Sequence, residues 1–434
     1  MNNHIGLDYT ERTTCRLCDS SNLSPVLDLG ETPLANELGL REQRGTCRKC
    51  GGPVGLRQTY YDGTDSLICV TCGLRYGAEH EPPLPTQPQE LFPLVVNRCG
   101  NCEHHQLSIA VKPERLWGPS YPYQSGTSPV FRRHLEALAD EVAALKPGGR
   151  VLEIASNDGT LVKMLGERGV VAMGVDPSGP DDDARMLWSL TWPPPSRDWY
   201  GSIGFDCIIA LNVFAHVDDL HSFTAAVKEA LAPDGVFIVE VGYLDSVVAN
   251  GHFDTIYHEH MSYHSLNPLV RFFARHGLYA HNVKGSKSQG GSIRLYLMHE
   301  RLPFGSVGNE HEPDISRLEA LATARAAALL VAFGKLQKRG EKVAIYGCPA
   351  KLTTLLYATG LQSFPFDCVG DDNPRKVGRT TPGNHIPIVS VTEMLERRPD
   401  TIVVAAWNFF DDIRDKLRRL GFSGVIINPM GRVE

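Results

Sequence analysis

Two groups of residues in this 434-residue chain have types and spacings that could do chemistry. The first is cysteine. Four C-x-x-C pairs stand before residue 103: Cys15/Cys18, Cys47/Cys50, Cys69/Cys72 and Cys99/Cys102. Each pair offers two thiolates from one tight turn, and two pairs complete the tetrahedral four-sulfur set that zinc takes in structural sites. The inner four have 18 residues between their knuckles, which fits a zinc ribbon. The outer four would then close a second site across the inserted ribbon, a nested pairing preferred to a sequential one. A reducing compartment disfavours disulfides between such pairs. Four thiolates leave no open position, so these sites are expected to be structural. Cys207, Cys348 and Cys368 sit in apolar strand patterns and are expected in the core.

The second group lies in F-D-T-I-Y-H-E-H-M-S-Y-H-S, residues 253–265. Three readings stay open. Tyr257, Glu259 and His260 could do acid–base work: an imidazole removes a proton near neutral pH, and a neighbouring carboxylate orients it and raises its basicity. His258 and His260 share one face if the segment is extended, and two histidines with Glu259 are a plausible metal ligand set. The segment could also be a hydrogen-bonded surface loop. His216 ends the strand in L-N-V-F-A-H-V, where a carboxyl-end residue faces a ligand crevice. A satisfied strand-end histidine is the alternative. Tyr121 and Tyr123, in Y-P-Y-Q-S-G, could supply phenolic donors or pack at a domain interface.

A third pattern points to a cofactor. The strand at 150–156 ends in A-S-N-D-G-T, followed by helical L-V-K-M-L-G-E-R. A strand–turn–helix unit surrounds a ligand with backbone N–H groups. The G-x-G-x-x-G of a dinucleotide loop is absent. S-adenosylmethionine (SAM) carries no phosphate and has a cationic sulfonium, so its loop needs fewer glycines and tolerates Asn and Asp. Asp176, 17 residues after Gly159, can accept both ribose hydroxyls at the end of the next strand. The expected cofactor contacts are Glu153, Ala155, Asn157, Asp158, Gly159, Asp176 and Asn212, and SAM is favoured over NAD.

These groups need a frame. The length implies two to four domains. Before about 112 the chain is rich in turns, with a Pro-rich connector at 80–89 that cannot be a regular helix. From 130 an amphipathic helix is followed by strands at 150–156, 170–177, 205–214 and 235–241, with a helix at 221–231. This alternation is that of a doubly wound α/β sheet. G-G-S-I-R-L-Y-L-M near 290 reads as a late edge strand, and 181–199 as a loop with one short helix. After a helix at about 313–340 the rhythm restarts at 342–347, 366–372, 401–407 and about 423–428, implying a second parallel sheet.

The net charge is −7, with no long basic run, which disfavours nucleic-acid binding by the whole chain. No apolar run approaches the roughly 20 residues of a membrane span. The N-terminal M-N-N-H-I-G-L-D-Y-T-E-R-T-T lacks an apolar signal core. A cytoplasmic protein that does not enter membranes is the expectation.

The motifs taken together resemble a known family, the three-domain SAM-dependent C-methyltransferases that act on nucleotide-linked keto sugars. The matching pieces run nearly end to end: C-R-L-C, L-D-L-G-E-T-P-L-A-N (27–36), F-P-L with C-G-N-C (92–102), Y-P-Y-Q-S-G-T-S (121–128) and E-I-A-S-N-D-G-T (153–160). They continue with L-N-V-F-A-H-V (211–217), the 253–265 segment, G-G-S-I-R-L-Y (290–296), I-Y-G-C-P-A-K (345–351), D-D-N-P-R-K-V-G-R (371–379) and A-A-W-N (405–408). The resemblance implies a zinc-binding domain over 1–112 with an inserted second ribbon at about 45–75. It further implies a class I SAM methyltransferase domain over 113–300 and a Rossmann-like α/β domain over 301–434. The nucleotide-linked sugar would lie between the last two. His260 becomes the base with Glu259 beside it; Tyr257, His216 and a tyrosine of 121–123 would hold the enolate.

Three features depart from the family pattern. The insertion at 47–72 is one, and it could contact a protein partner. The stretch at 178–204 is short, and Y-G-C-P-A-K-L lacks the glycine expected after the lysine. Two rival readings are an O- or C-methyltransferase for a non-sugar carbonyl or polysaccharide-pathway substrate, and a zinc-ribbon scaffold with inactive α/β domains.

Overall fold

A computed structural model describes residues 8–40, 43–47, 49, 53–58, 65–69, 75–76, 89–117, 121–176, 186–188, 204–301 and 313–431. For residues 40, 43–46, 53–58, 65–69, 75–76 and 186–188 the description is of the backbone. All but the last residue of the Pro-rich connector lies outside these residues.

The α/β alternation builds one seven-stranded sheet. Across it run Met186–Trp188, Val171–Asp176, Arg150–Ile154, Phe205–Leu211, Leu231–Gly242, Ser292–Met298 and Tyr279–Ser286. The first five are parallel. Ser292–Met298 is antiparallel to both neighbours. It is therefore no edge strand, which corrects the sequence expectation. The reason lies in its residues: six of its seven positions are buried, as a strand flanked on both sides requires. Within 181–199, Met186–Trp188 forms a short strand; the rest of that segment, and the short helix expected in it, lies outside the described residues.

Helices Pro129–Leu145 and Thr160–Glu167 cover one face through Leu135, Leu138, Val142, Leu161 and Leu165. Leu220–Ala230 and Leu266–Arg275 cover the other through Phe223, Val227, Leu269 and Phe273. Ser128 caps the first helix by accepting from the Phe131 amide at 3.3 Å, with Pro129 at the first helical position. Such a cap contributes about 1 kcal/mol. Chain order reverses between Arg150–Ile154 and Phe205–Leu211, and their carboxyl ends form the crevice where such sheets bind ligands.

The N-terminal region forms a four-stranded antiparallel sheet in the order Ser262–Tyr263, His105–Leu107, Phe92–Cys99, Leu23–Thr32. Its edge strand is thus contributed by the histidine-rich segment. The inserted region is a separate four-stranded antiparallel sheet of Gln43–Thr46, Pro53–Gln58, Asp65–Cys69 and Arg75–Tyr76.

The C-terminal sheet has five parallel strands in the order Ile388–Ser390, Val369–Asp371, Val343–Tyr346, Thr401–Val404, Val425–Ile427. Ile388–Ser390 escaped the sequence reading because three residues carry no periodic signal. Arg379–Thr380 pairs with Gly39–Leu40 of the N-terminal region. One apolar cluster joins Leu27 and Leu94 to Phe253 and Ile256 and to Phe333 and Leu355. The three regions therefore share a core, and the histidine-rich segment passes through it. Among the described residues, no helix is long and apolar enough to cross a membrane.

Candidate active site

The candidate cofactor loop is built on strained backbone. Ala155, Asn157 and Asn212 follow the two strands at the switch point, with φ of 57°, 52° and 54°. Non-glycine residues rarely adopt such values, and they gather at functional sites. Gly159, at φ 71°, opens helix Thr160–Glu167. Asp176 is buried, and its Oδ2 accepts from the Asn157 amide at 2.8 Å. Glu153 is buried with Oε2 unpartnered. Burial pushes its carboxyl well above the usual range, and Asp158 and Asp176 push in the same direction. Three carboxylates around one loop favour a cationic ligand, because a positive charge offsets their repulsion. A sulfonium and an ammonium meet that need, so the loop fits SAM.

Residues 121–126 lie against this loop. Asn157 donates from Nδ2 to the Tyr123 carbonyl at 3.2 Å and accepts at Oδ1 from the Ser125 amide at 2.9 Å. The Gly126 amide donates to Asp158 Oδ2 at 2.7 Å. A Cβ on Gly126 would sit 2.5 Å from Thr160 Oγ1, so any larger residue there would displace the Thr160 side chain. From the C-terminal region, Asn373 Nδ2 donates to the Pro122 carbonyl at 2.7 Å.

The catalytic candidates meet beside this segment. Residues 257–260 form a tight turn closed by the His260 amide donating to the Tyr257 carbonyl at 2.9 Å. The turn puts the rings of Tyr257 and His260 on one side, with centroids 4.0 Å apart. It also corrects the extended reading: His258 points away, packs on Phe92 and contacts the Pro93 carbonyl through Nε2 at 3.2 Å. His258 and His260 therefore do not converge on one ion.

Carbonyl partners assign the tautomers. His260 Nδ1 donates to the Thr255 carbonyl at 2.8 Å, which leaves Nε2 to accept from the Tyr257 hydroxyl at 2.7 Å. His216 Nδ1 donates to the Glu259 carbonyl at 2.6 Å. The two imidazole rings have centroids 5.0 Å apart. Burial lowers both, His260 to about 3. Both are thus neutral near pH 7, with an acceptor nitrogen each.

Glu259 does not orient His260 as the sequence reading supposed. Adjacent residues in the turn diverge, and the Glu259 carboxyl meets Asn36 Nδ2 at 2.8 and 2.9 Å and the Tyr121 hydroxyl at 3.4 Å. Burial raises it to about 7. Tyr121 packs edge-on against Trp117, which also packs on His216. Tyr123 is exposed and meets the cofactor loop through its carbonyl, not its hydroxyl. Asn36 escaped the sequence reading as a site residue, although it ends the quoted L-D-L-G-E-T-P-L-A-N motif.

A polar group follows on the C-terminal side. Thr354 Oγ1 donates to the Ile256 carbonyl at 2.6 Å, docking helix Lys351–Ala358 onto this segment. Lys351 is buried, lies 3.8 Å from the Trp407 ring centre and donates to Asn408 at 2.7 Å. Burial lowers its ammonium to about 8. Asp254 accepts from Trp407 Nε1 at 2.6 Å, and burial raises it to about 6. His252 stacks on the same indole.

Cys15, Cys18, Cys99 and Cys102 converge, with all four sulfurs within 4.8 Å of one another. Cys15 and Cys102 are 3.5 Å apart, and Cys18 and Cys99 3.6 Å. A tetrahedron with ~2.3 Å zinc–sulfur arms has edges of roughly 3.8 Å, so the set fits zinc. The Leu17 and Asn101 amides each donate to the sulfur two residues earlier, at 3.4 Å, an arrangement that favours thiolates. Of the inner four, Cys47 is buried and accepts likewise from the Lys49 amide. Cys69 ends a strand, and Cys50 and Cys72 lie outside the described residues, as does the expected second site.

Comparison with known proteins decides the family. The chain is 30% identical over 357 residues to the C-methyltransferase NovU of Streptomyces niveus, covering 75% of this chain and 83% of that protein. This chain belongs to the C-methyltransferase family. Residues 127–283 match the family model described as a methyltransferase domain, and residues 287–429 the model described as a C-methyltransferase C-terminal domain. The enzyme is a SAM-dependent methyltransferase, which sets aside the inactive-scaffold reading.

Two solved methyltransferases resemble about two fifths of this C-methyltransferase. The Burkholderia thailandensis 1,6-didemethyltoxoflavin-N1-methyltransferase is 15% identical, covers 40% of this chain and 78% of its own, and gives a TM-score of 0.31. A TehB-like methyltransferase from Corynebacterium glutamicum is 18% identical, covers 39% and 94%, and gives 0.29.

Proposed function

We propose that this enzyme methylates the carbon next to a ketone of a nucleotide-linked deoxysugar. The observation that carries the reading is the Tyr257–His260 pair: a base nitrogen and a phenolic donor 2.7 Å apart, with the far ring nitrogen held by Thr255. A ketone acidifies its neighbouring C–H, and its enolate needs a base on one side and a donor on the other. His260 Nε2 takes the proton, breaking the C–H bond as the N–H bond forms. For this the Tyr257 hydroxyl turns from Nε2 to the ketone oxygen as substrate enters, which frees the Nε2 lone pair and leaves the phenol donating to the enolate oxygen as it forms. Burial and the Glu259 charge hold that phenol well above its usual range, so it remains a donor. His216 and Tyr121 line the same space.

SAM, when bound, supplies an electrophilic methyl group; Glu153, Asn157, Asp158, Gly159 and Asp176 would hold it. Lys351 and the start of helix Lys351–Ala358 support the nucleotide linkage, because a cation at a helix N-terminus suits a diphosphate. The acid–base reading is favoured over a metal at 257–260. Among the described residues, the one convergent set of three or more ligand side chains is Cys15, Cys18, Cys99 and Cys102. We infer that this set holds a structural zinc, and that the insert holds a second zinc and serves a protein contact.

The test is mass spectrometry after incubation with SAM and nucleotide-linked 4-keto-6-deoxy sugars. A product heavier by one CH2, with a C–CH3 rather than an O–CH3 proton signal, is expected. SAM binding without any product would discard the sugar and keep the methyltransferase.

A further inference from the structure

Arg16 stands inside the first cysteine knuckle, between Cys15 and Leu17, and is 1% exposed. A buried guanidinium is costly unless its donors are satisfied. Here the partners come from three places. Nε donates to Asp218 Oδ1 at 2.9 Å. Nη1 donates to the carbonyls of Leu107 at 3.0 Å and Met261 at 3.3 Å, and Nη2 to that of Ile109 at 3.4 Å. The Arg16 amide donates to Gln106 Oε1 at 2.7 Å.

Two of these partners adjoin the site histidines. Asp218 lies two residues after His216, and Met261 follows His260. The same two loops are tied to each other on their inner side. The Met261 amide donates to the Ala215 carbonyl at 2.7 Å, and His216 Nδ1 to the Glu259 carbonyl at 2.6 Å. Arg16 closes the outer side of this frame. It spans 202 residues of sequence to one loop and 245 to the other.

We propose that Arg16 is a positioning residue for His216 and His260, so that the four-cysteine cluster and the catalytic cleft act as one unit. Its role as a positioner rests on the acid–base reading above. A planar fork reaches a carboxylate and several carbonyls at once; a lysine ammonium, a point charge with three donors, cannot hold the same frame. Displacing a catalytic group by 1 Å can cost about 10²-fold in rate.

The test compares wild type with Arg16→Met and Arg16→Lys in the full-length, zinc-loaded protein. Long-range proton–nitrogen NMR spectra of the histidine rings report tautomer, with His216 and His260 assigned through His→Gln variants. In Arg16→Met we expect both to lose their fixed Nδ1–H form while His281 and His299 signals stay. Turnover should fall roughly 30-fold or more, with KM changed less. SAM affinity and zinc content should stay within twofold, and Arg16→Lys should recover part of both losses. Unchanged ring signals and kcat beside a lowered melting temperature would overturn the proposal. If Arg16→Met does not fold, Asp218→Asn replaces it, since it weakens the same clamp from the other side. If wild type turns over no keto sugar, the sugar reading fails on its own, and the ring spectra still decide the role of Arg16.

Discussion

The Tyr257 hydroxyl lies 2.7 Å from His260 Nε2, while His260 Nδ1 is fixed 2.8 Å from the Thr255 carbonyl. One ring nitrogen thus carries the proton and the other is an acceptor, which the phenol occupies; the proposed mechanism makes that nitrogen the base and the phenol its donor. His260→Ala should lower turnover by about 10²- to 10⁴-fold. Tyr257→Phe should cost about 10²-fold, the usual loss of one oxyanion donor. SAM affinity, measured by calorimetry, should be unchanged in both, because the cofactor loop is built from other residues.

Burial brings Glu259 to about 7, so its ionisation falls within the working range. The Glu259 charge reaches Tyr257, the hydrogen-bond partner of His260, and an ionised carboxylate in that buried site favours the cationic imidazole that would form as the proton arrives. kcat/KM should therefore rise with pH through about 7. Glu259→Gln should flatten that limb and lower the plateau by roughly 10-fold or more. Asn36→Ala removes a partner of both carboxylate oxygens and should move the limb to higher pH. A pH–rate profile of the three proteins checks this.

The Glu153 carboxyl is held well above its usual range by burial, Asp158 and Asp176. A cationic ligand stabilises the ionised form, so SAM binding should release protons and tighten as pH rises. Calorimetry in two buffers of different ionisation enthalpy measures the release. Asp176→Ala should weaken SAM at least ~10-fold, since it removes a carboxylate and loosens the Asn157 amide.

The outer cysteine set should retain one zinc per chain through gel filtration, read by plasma mass spectrometry. Cys99→Ser or a strong chelator should remove that ion and lower the melting temperature by roughly 10 °C or more, because binding energy at such sites is folding energy. Cys69→Ser should remove a separate equivalent that belongs to the insert.

His258 and His264 are buried, and burial lowers each to about 4. The unfolded chain therefore binds more protons than the native one between about pH 6.5 and 4, and stability should fall as pH drops through that window. Asp254 and Glu259, raised to about 6 and about 7, oppose this, as does Glu153, held well above its usual range. The histidines outweigh these three because His252, His260 and His105 are lowered as well, to about 4, about 3 and about 4. A melting temperature lower by ~5 °C at pH 5 than at pH 6.5 is expected.

What the sequence determined by itself is local. The C-x-x-C turns, the strand that ends at Asn157–Gly159, Asp176 at the next strand end and the chemistry gathered at 257–260 all follow from spacing over a few residues. Short-range periodicity and turn chemistry act at that range. The family pattern extended the reading to the order of the domains.

Tertiary packing decided which of these groups face one another. The turn at 257–260 turned His258 into the N-terminal sheet and His260 toward Tyr257. Glu259 found Asn36, 223 residues away, in place of the adjacent imidazole. Ser292–Met298 entered the sheet between two strands, where the sequence read an edge. Arg16 reached Met261 across 245 residues. Each is a buried polar or apolar group satisfied by a distant partner. Spacing along the chain carries no record of such a partner, because the pairing exists only after three regions pack on one core.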